Sequence, residues 1–176
     1  MAVAWMQQKR RWQRRERENP EPRRPALGPE YGQFLATLPW DWYGTFTFAD
    51  WLHPERAAQI YEAWARDLAK DAGKVQTHAR ALEYQRRGVV HFHSLVWNVG
   101  PGQRRFKWMQ TWETMGGGIS RIYEYDRARG AAYYLPKYIV KGGELDMLRF
   151  GPAPTRPDDV RMQRAGADPP VGRSGP

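Results

Sequence analysis

The sequence predicts an α+β fold, namely an antiparallel sheet of four to five strands with helices packed mainly on one face. Strand-like and helix-like segments alternate through the middle of the chain in the order β, α, β, β, α, β, α. Two strand-like segments flank Arg86, Arg87 and Gly88, which have the length and chemistry of a tight hairpin turn. A chain of 176 residues has room for one such domain with its own core.

The first half of the predicted domain contains a strand, a helix and the hairpin. Residues 41–48 alternate aromatic and β-branched side chains with a period of two, which is typical of a strand. Residues 54–70 begin with Pro at a first helical position, and their apolar side chains recur at helical spacing. Residues 77–85 and 89–97 are predicted to be the paired strands of the hairpin.

The second half of the domain is predicted to contain two helices and one strand. Residues 104–114 follow a Gly-Pro-Gly break and form a short helix that ends at glycines 116–118. A strand follows at residues 119–125. Residues 128–141 have helical apolar spacing, but Pro136 lacks a backbone N–H, so we expect this helix to begin late or to kink.

Two segments differ in composition from the predicted domain, which spans residues 39–150. Residues 1–38 are predicted to be a basic arm and an extended, proline-containing linker, because the first 30 residues carry eight basic and four acidic side chains. This arm either grips a DNA backbone or is simply solvated. Residues 151–176 are rich in Pro, Gly and charge without apolar periodicity, which predicts a disordered tail.

Charge and composition restrict the class of protein. The formal net charge of +9 makes polyanions, and nucleic acid first among them, the expected partners. The absence of cysteine excludes disulfides and thiolate metal sites. There is no apolar run long enough for a membrane span and no secretory leader, so we expect a cytoplasmic protein without a membrane partner.

A pair of histidines on the predicted hairpin is the first candidate for chemistry. His91 and His93 are two residues apart on a strand, so their side chains share one face of the sheet. Hairpin pairing places Glu83 opposite or diagonal to His91. Such a set suits Mn²⁺ or Mg²⁺ bridging to a phosphate oxygen, although imidazole also binds Zn²⁺. The alternative is a pair of half-exposed histidines with no ligand.

A pair of tyrosines near the end of the domain is the second candidate. Tyr134 and Tyr138 are four residues apart, and Lys137 and Lys141 each follow one of them by three residues, so all four lie near one helix face. A phenolate attacks phosphorus, and a nearby ammonium group lowers the phenol pKa or neutralises the phosphate in the transition state. The alternative is an aromatic core stripe with lysines at the helix rim.

Together these segments resemble the HUH endonucleases. GVVHFH resembles their His-hydrophobe-His motif, and ALEYQRRGVVHFH resembles their Glu-containing hairpin. YGTFTF resembles the first conserved strand of the rolling-circle replication initiators of plasmids and phages, and YLPKYIVK resembles their Tyr-x-x-Lys helix. The motifs occur in the expected order over residues 43–141, which is most of the predicted domain.

The resemblance implies a ferredoxin/RRM-like HUH nuclease fold and an enzyme that nicks and joins single-stranded DNA to initiate rolling-circle replication. It implies that Glu83, His91 and His93 hold a divalent metal, Mn²⁺ or Mg²⁺, at the scissile phosphate. Tyr134, or else Tyr138, would attack in line and leave a 5′-phosphotyrosine and a free 3′-hydroxyl. The implied partners are single-stranded or hairpin DNA at a replication origin, a host polymerase and a separate helicase, in the cytoplasm of a bacterial host cell.

Basic side chains clustered around the proposed site are expected to contact DNA, mostly at phosphates. They are Arg86 and Arg87 at the hairpin turn and Arg104, Arg105 and Lys107 in the following segment. Core packing is the expected role of Trp108 and Trp112, ahead of base stacking. The two histidines without motif spacing, His53 and His78, are predicted to lie in loops or at the surface unless His78 is an outer-shell group.

Two other functions fit parts of this pattern. A single-strand DNA transposase would use the same chemistry and differ only in its DNA ends and joined products. A noncatalytic nucleic-acid-binding module with a ferredoxin-like sheet would bind tightly without cleavage and without a metal effect. The second alternative leaves the His, Glu and Tyr, Lys sets unexplained.

Overall fold

In a computed structural model of the chain, the structure describes residue 7 and residues 29–85, 87–129, 135 and 145–151. Three helices and five strands lie in these ranges. In chain order they are α1 (Pro29–Thr37), β1 (Trp40–Thr47), α2 (Pro54–Ala72), β2 (Gln76–Tyr84), β3 (Val90–Trp97), α3 (Arg105–Thr114), β4 (Ser120–Glu124) and β5 (Leu145–Phe150).

The strands form one five-stranded sheet in the order β4-β1-β3-β2-β5, with every neighbouring pair antiparallel. Helix α2 connects β1 to β2 across β3, and α3 connects β3 to β4 across β1. These two split βαβ crossings define a ferredoxin-like arrangement, to which β5 adds a strand beside β2. The predicted α+β fold with an antiparallel sheet is confirmed.

Residue parity separates the two faces of this sheet. Strand side chains alternate between faces, and from Trp42 of β1 onward the register pairs odd-numbered residues with odd-numbered ones and even with even in all four pairings. The even-numbered Phe46 and Phe92 pack against α2 and α3 in the main core. The odd-numbered side chains, including His91 and His93, therefore lie on the opposite face.

The main core is aromatic, which explains why α2 and α3 both pack on one face. Helix α2 buries seven residues along one stripe and ends at Gly73, whose φ of 62° is the left-handed conformation that glycine adopts without strain. Trp112 of α3 is fully buried, 5.1 Å from Phe46 between ring centroids, and its Nε1–H donates to the Thr47 carbonyl. Trp108 is also buried, so the predicted core roles of both tryptophans are confirmed.

A smaller core covers part of the opposite face. Leu35 of α1, Trp40 and Leu135 pack there against Ala79, Ala81 and Leu95. Trp40 reaches this face because a bulge in β1 between Trp40 and Trp42 shifts the register by one residue. Its Nε1–H donates to the Leu35 carbonyl at 2.7 Å, which ties α1 to the sheet.

The structure adds two elements to the predicted order and leaves others outside its described ranges. Helix α1 occupies residues that were predicted to belong to the linker, and β5 was absent from the predicted order. The predicted helix over 128–141 lies outside the described residues except at 128, 129 and 135, and so does the predicted tail except at Gly151. Residue 7 alone of the predicted basic arm over 1–28 is described.

Candidate active site

The hairpin places Glu83 directly beside the two histidines. In the β2–β3 register Glu83 pairs with His91, and Ala81 pairs with His93. Of the two positions open to Glu83 from the sequence, the structure therefore selects the one opposite His91. Because all three residues are odd-numbered, their side chains share the face that α2 and α3 leave uncovered.

The three side chains lie close enough to contact one another. The Nε2 of His93 is 3.2 Å from Oε2 of Glu83, and the ring centroids of His91 and His93 are 4.5 Å apart. The side chains of His93 and Glu83 are 19% and 27% exposed, so solvent and a polyanion can both reach them. The structure thus brings together all three predicted metal ligands.

The spacing and chemistry of the donor atoms determine whether this set can hold a divalent cation. In the described ranges, no group of three His, Asp or Glu side chains is arranged to hold a metal ion as it stands. Two ligand atoms about 2.1 Å from one ion are roughly 3.0–3.4 Å apart, depending on the angle between them. The 3.2 Å between His93 and Glu83 fits that separation. Chemical type also fits, with two imidazoles and one carboxylate.

Tyr43 of β1 is a site residue that sequence reasoning missed. Its hydroxyl is 2.8 Å from Nδ1 of His93, the nitrogen that faces away from Glu83. The alternation of YGTFTF placed Tyr43, Thr45 and Thr47 on one face. What the sequence did not show is that β1 pairs with β3, so that this face meets the histidines.

Leu135 connects this face with the tyrosine segment. Its side chain is fully buried against Ala79, Ala81 and Leu95, and these three residues continue the rows that hold Glu83 and His93. The predicted nucleophiles and their lysines, Tyr134, Lys137, Tyr138 and Lys141, lie outside the described residues. Their described neighbour Leu135 is therefore the one residue of that motif that the structure places, and it lies on the histidine face.

A comparison with protein families identifies the class of protein. The model of a family of replication-associated proteins, described by the name ORF2, matches residues 41–143, which is more than half of the chain. The chain belongs to this family. No curated protein and no solved structure matches the chain. The matched range contains β1 through β4, Leu135 and the histidine hairpin.

The basic hairpin residue of this replication-associated protein has a structural role. The Arg87 guanidinium donates to the carbonyls of Phe48 and Ala49 and to the Gln85 side chain. These bonds fasten the hairpin turn to the chain that leaves β1. Its predicted DNA contact stays a prediction, and Arg86 lies outside the described residues.

Three other predicted DNA contacts lie away from the histidines. Arg104, Arg105 and Lys107 begin helix α3, which packs on the even-numbered face. Arg105 pairs with Glu124 at 2.6 Å, and Lys107 donates to Asp71 at 2.8 Å. The expected clustering of these three residues around the site is wrong, because the sheet separates them from it.

The edge strand β4 instead supplies a cation on the histidine face. Thr45 of β1 pairs with Arg121 on one side and with His93 on the other, so the three residues stand in one row. Two strand spacings, or about 10 Å, separate Arg121 from His93. Tyr123 follows on the same face and is 50% exposed. The sequence signal for both was the odd parity of β4, which required knowledge of its partner strand.

His78 is the predicted surface histidine that the structure places elsewhere. It is fully buried, so its predicted loop or surface position is wrong, whereas His53 does lie in the loop before α2. Nδ1 of His78 is 2.9 Å from the Tyr61 hydroxyl, which is also 2.5 Å from Ser94 Oγ. Burial, with a smaller effect of the Arg80 charge, lowers the pKa of His78 to about 3.

We expect the free energy of unfolding to fall by about 2 kcal/mol between pH 7 and pH 5 through His78 alone. The unfolded chain takes up a proton near the ordinary pKa of 6.5, whereas the folded chain resists protonation until about pH 3, so stability is lost as pH falls. Denaturant unfolding at several pH values measures the difference between the wild type and His78→Gln. An identical pH slope in both would contradict it, and His53→Gln, at an exposed histidine, is the matched control.

No helix of the described residues has the length and apolar character needed to cross a bilayer.

Proposed function

We propose that this replication-associated protein is an HUH-type endonuclease. It nicks and joins single-stranded DNA through a 5′-phosphotyrosine intermediate and thereby initiates rolling-circle replication of a plasmid or phage. The observation that carries the proposal is the Glu83 carboxylate, which faces His91 in register and lies 3.2 Å from Nε2 of His93. The family match supports the replication role, since its description names replication.

In this proposal Glu83, His91 and His93 hold Mn²⁺ or Mg²⁺. The bound ion supplies Lewis-acid polarisation of the scissile phosphate. Support comes from the chemistry of the donor set and from the shared, partly exposed face on which the three side chains lie. Their strand β3 is hydrogen-bonded to a neighbour on each side, which favours a rigid ligand platform.

The nucleophile in this proposal is the phenol oxygen of Tyr134, with Tyr138 as the second candidate. The oxygen forms a bond to phosphorus in line with the 3′-oxygen, the bond from phosphorus to that oxygen breaks, and the phenol proton leaves to solvent or a base. Lys137 and Lys141 neutralise the developing negative charge. The burial of Leu135, the residue after Tyr134, on the histidine face supports this assignment.

The proposed partner is single-stranded or hairpin DNA at a replication origin, in the cytoplasm of a bacterial host. The net charge of +9 supports a polyanionic partner. Arg121 and the exposed ring of Tyr123 lie on the same face as the histidines, where they suit a phosphate and a stacked base. A separate helicase and the host polymerase complete the proposed reaction, because the sequence has no GxxxxGK[ST] segment.

The test is a covalent-adduct assay on the full chain. The protein is incubated with a pool of single-stranded DNA of mixed sequence and Mn²⁺, and a denaturing gel is run after boiling. A protein–DNA species that survives boiling and is absent with EDTA is the expected result. DNA retention without adduct or cleavage over a broad pool would contradict the proposal and favour a noncatalytic binding module.

A further inference from the structure

We infer that Tyr43 is a positioning residue for His93, holding the imidazole so that Nε2 points at Glu83 and at any cation bound there. The inference rests on the proposed metal site and concerns a residue outside the predicted ligand set. Three bonded groups in a row carry it: the Tyr43 hydroxyl lies 2.8 Å from Nδ1 of His93, and Nε2 of the same ring lies 3.2 Å from Glu83.

The position of Tyr43 follows from the strand register. Thr45 of β1 is directly opposite His93, so Tyr43 is its diagonal neighbour, a separation that a tyrosine side chain spans. The two rings are nearly parallel, with an interplanar angle of 14° and 6.1 Å between centroids. The Tyr43 ring also packs against the small core of Leu35, Leu95 and Leu135. Its hydroxyl is therefore held in place by packing on the same face.

Hydrogen-bond chemistry assigns a role to this contact. A carboxylate only accepts, so Nε2 of a neutral His93 carries the hydrogen that it donates to Glu83, and Nδ1 accepts from the Tyr43 hydroxyl. An imidazole that coordinates through Nε2 carries its hydrogen on Nδ1 instead, and a phenol oxygen can accept that hydrogen. One hydroxyl thus suits His93 both with and without a metal ion, because it can donate or accept.

Removal of such an outer partner weakens metal binding without removing a ligand. Partners of this kind typically contribute about 10- to 100-fold to metal affinity. Tyr43→Phe retains the ring and its packing and deletes only the oxygen. We therefore expect the dissociation constant for Mn²⁺ to rise by about 10-fold or more in this variant, with the fold retained.

The experiment is a titration of full-length protein with Mn²⁺ in the absence of DNA. The free aqua ion is followed by its electron paramagnetic resonance signal, so the readout does not depend on cleavage. Tyr123→Phe is the matched control, since Tyr123 pairs directly with Tyr43 but lies one strand farther from His93. We expect Tyr123→Phe to bind Mn²⁺ within about 2-fold of the wild type, because no outer partner of His93 is removed.

Two outcomes separate failure of the inference from failure of the proposed function. If the wild type binds Mn²⁺, His93→Ala weakens binding and Tyr43→Phe binds like the wild type, the positioning role is overturned while the metal site stands. If the wild type does not bind Mn²⁺ at all, both are overturned.

A measurement on the wild type alone keeps the inference testable even if Tyr43→Phe fails to fold. Nitrogen-15 NMR of the metal-free protein at a pH where His93 is neutral distinguishes the two imidazole tautomers. The expected result is a hydrogen on Nε2 of His93 and an accepting Nδ1. A hydrogen on Nδ1 would contradict the bond pattern on which the role depends.

Discussion

Covalent attachment to DNA is expected to disappear when Tyr134 and Tyr138 are both replaced by phenylalanine. The proposed intermediate is a phosphodiester to a phenol oxygen, and phenylalanine has no oxygen with which to form it. DNA binding should change little, because phosphate contacts from basic residues dominate affinity for nucleic acid. The measurement is the boiled denaturing gel with Mn²⁺, beside a filter-binding assay on the same variant.

The two single variants divide the work between the tyrosines. Tyr134→Phe should lose most of the adduct if Tyr134 attacks first, and Tyr138→Phe should retain it. Tyr133→Phe is the matched control, because Pro136 stands where a lysine would follow Tyr133 by three residues. An adduct that persists undiminished in the double variant would show that the nucleophile is a different residue, even with the fold as described.

Replacement of either histidine by alanine should lower metal-dependent cleavage by more than about 100-fold, which exceeds the effect of losing an outer partner. Each change removes one of three proposed ligands, and the two that remain hold a divalent ion weakly. The expected reduction applies to His91→Ala and His93→Ala separately. Cleavage of an origin oligonucleotide, or of a strand chosen from the mixed pool, gives the rate.

The matched control for these variants is His53→Ala. His53 lies in the loop before α2, with its side chain 38% exposed, so its loss should leave the cleavage rate unchanged. Thermal melts of all three variants establish that the fold is retained, since His93 is a half-buried residue of the sheet face and not of the main core. A cleavage rate within about 3-fold of wild type in His93→Ala would remove the metal site from the mechanism, since ligand loss costs far more.

Local patterns predicted the sheet and the two crossing helices, and nonlocal packing explains what they missed. Period-two alternation and the turn at Gly88 identified β1, β2 and β3 within about two residues of their ends. Helix α1 was hidden by the prolines before it, and it is stabilised by the burial of Leu35 against the distant Leu95 and Leu135. Strand β5 has only six residues and depends on pairing with β2.

The site was predicted where its residues share one hairpin and missed where a third strand joins it. The spacing of His91 and His93 and the turn length were sufficient to bring Glu83 to them. Tyr43 is 50 residues from His93, and nothing local indicates that β1 is its neighbour. Burial of His78 likewise depends on Tyr61 and Ser94, which belong to two other elements and supply its hydrogen-bonding environment.

The odd and even numbering of the two sheet faces has a consequence for protein engineering. A combinatorial library confined to odd-numbered positions of β1 and β4, such as Thr45, Thr47 and Arg121, would vary the surface around the histidines alone. Even-numbered neighbours such as Phe46, which hold the helices, would stay constant throughout. Sequence preference for DNA could then be selected in this domain with folding as a nearly fixed background, because adjacent residues of each strand serve separate purposes.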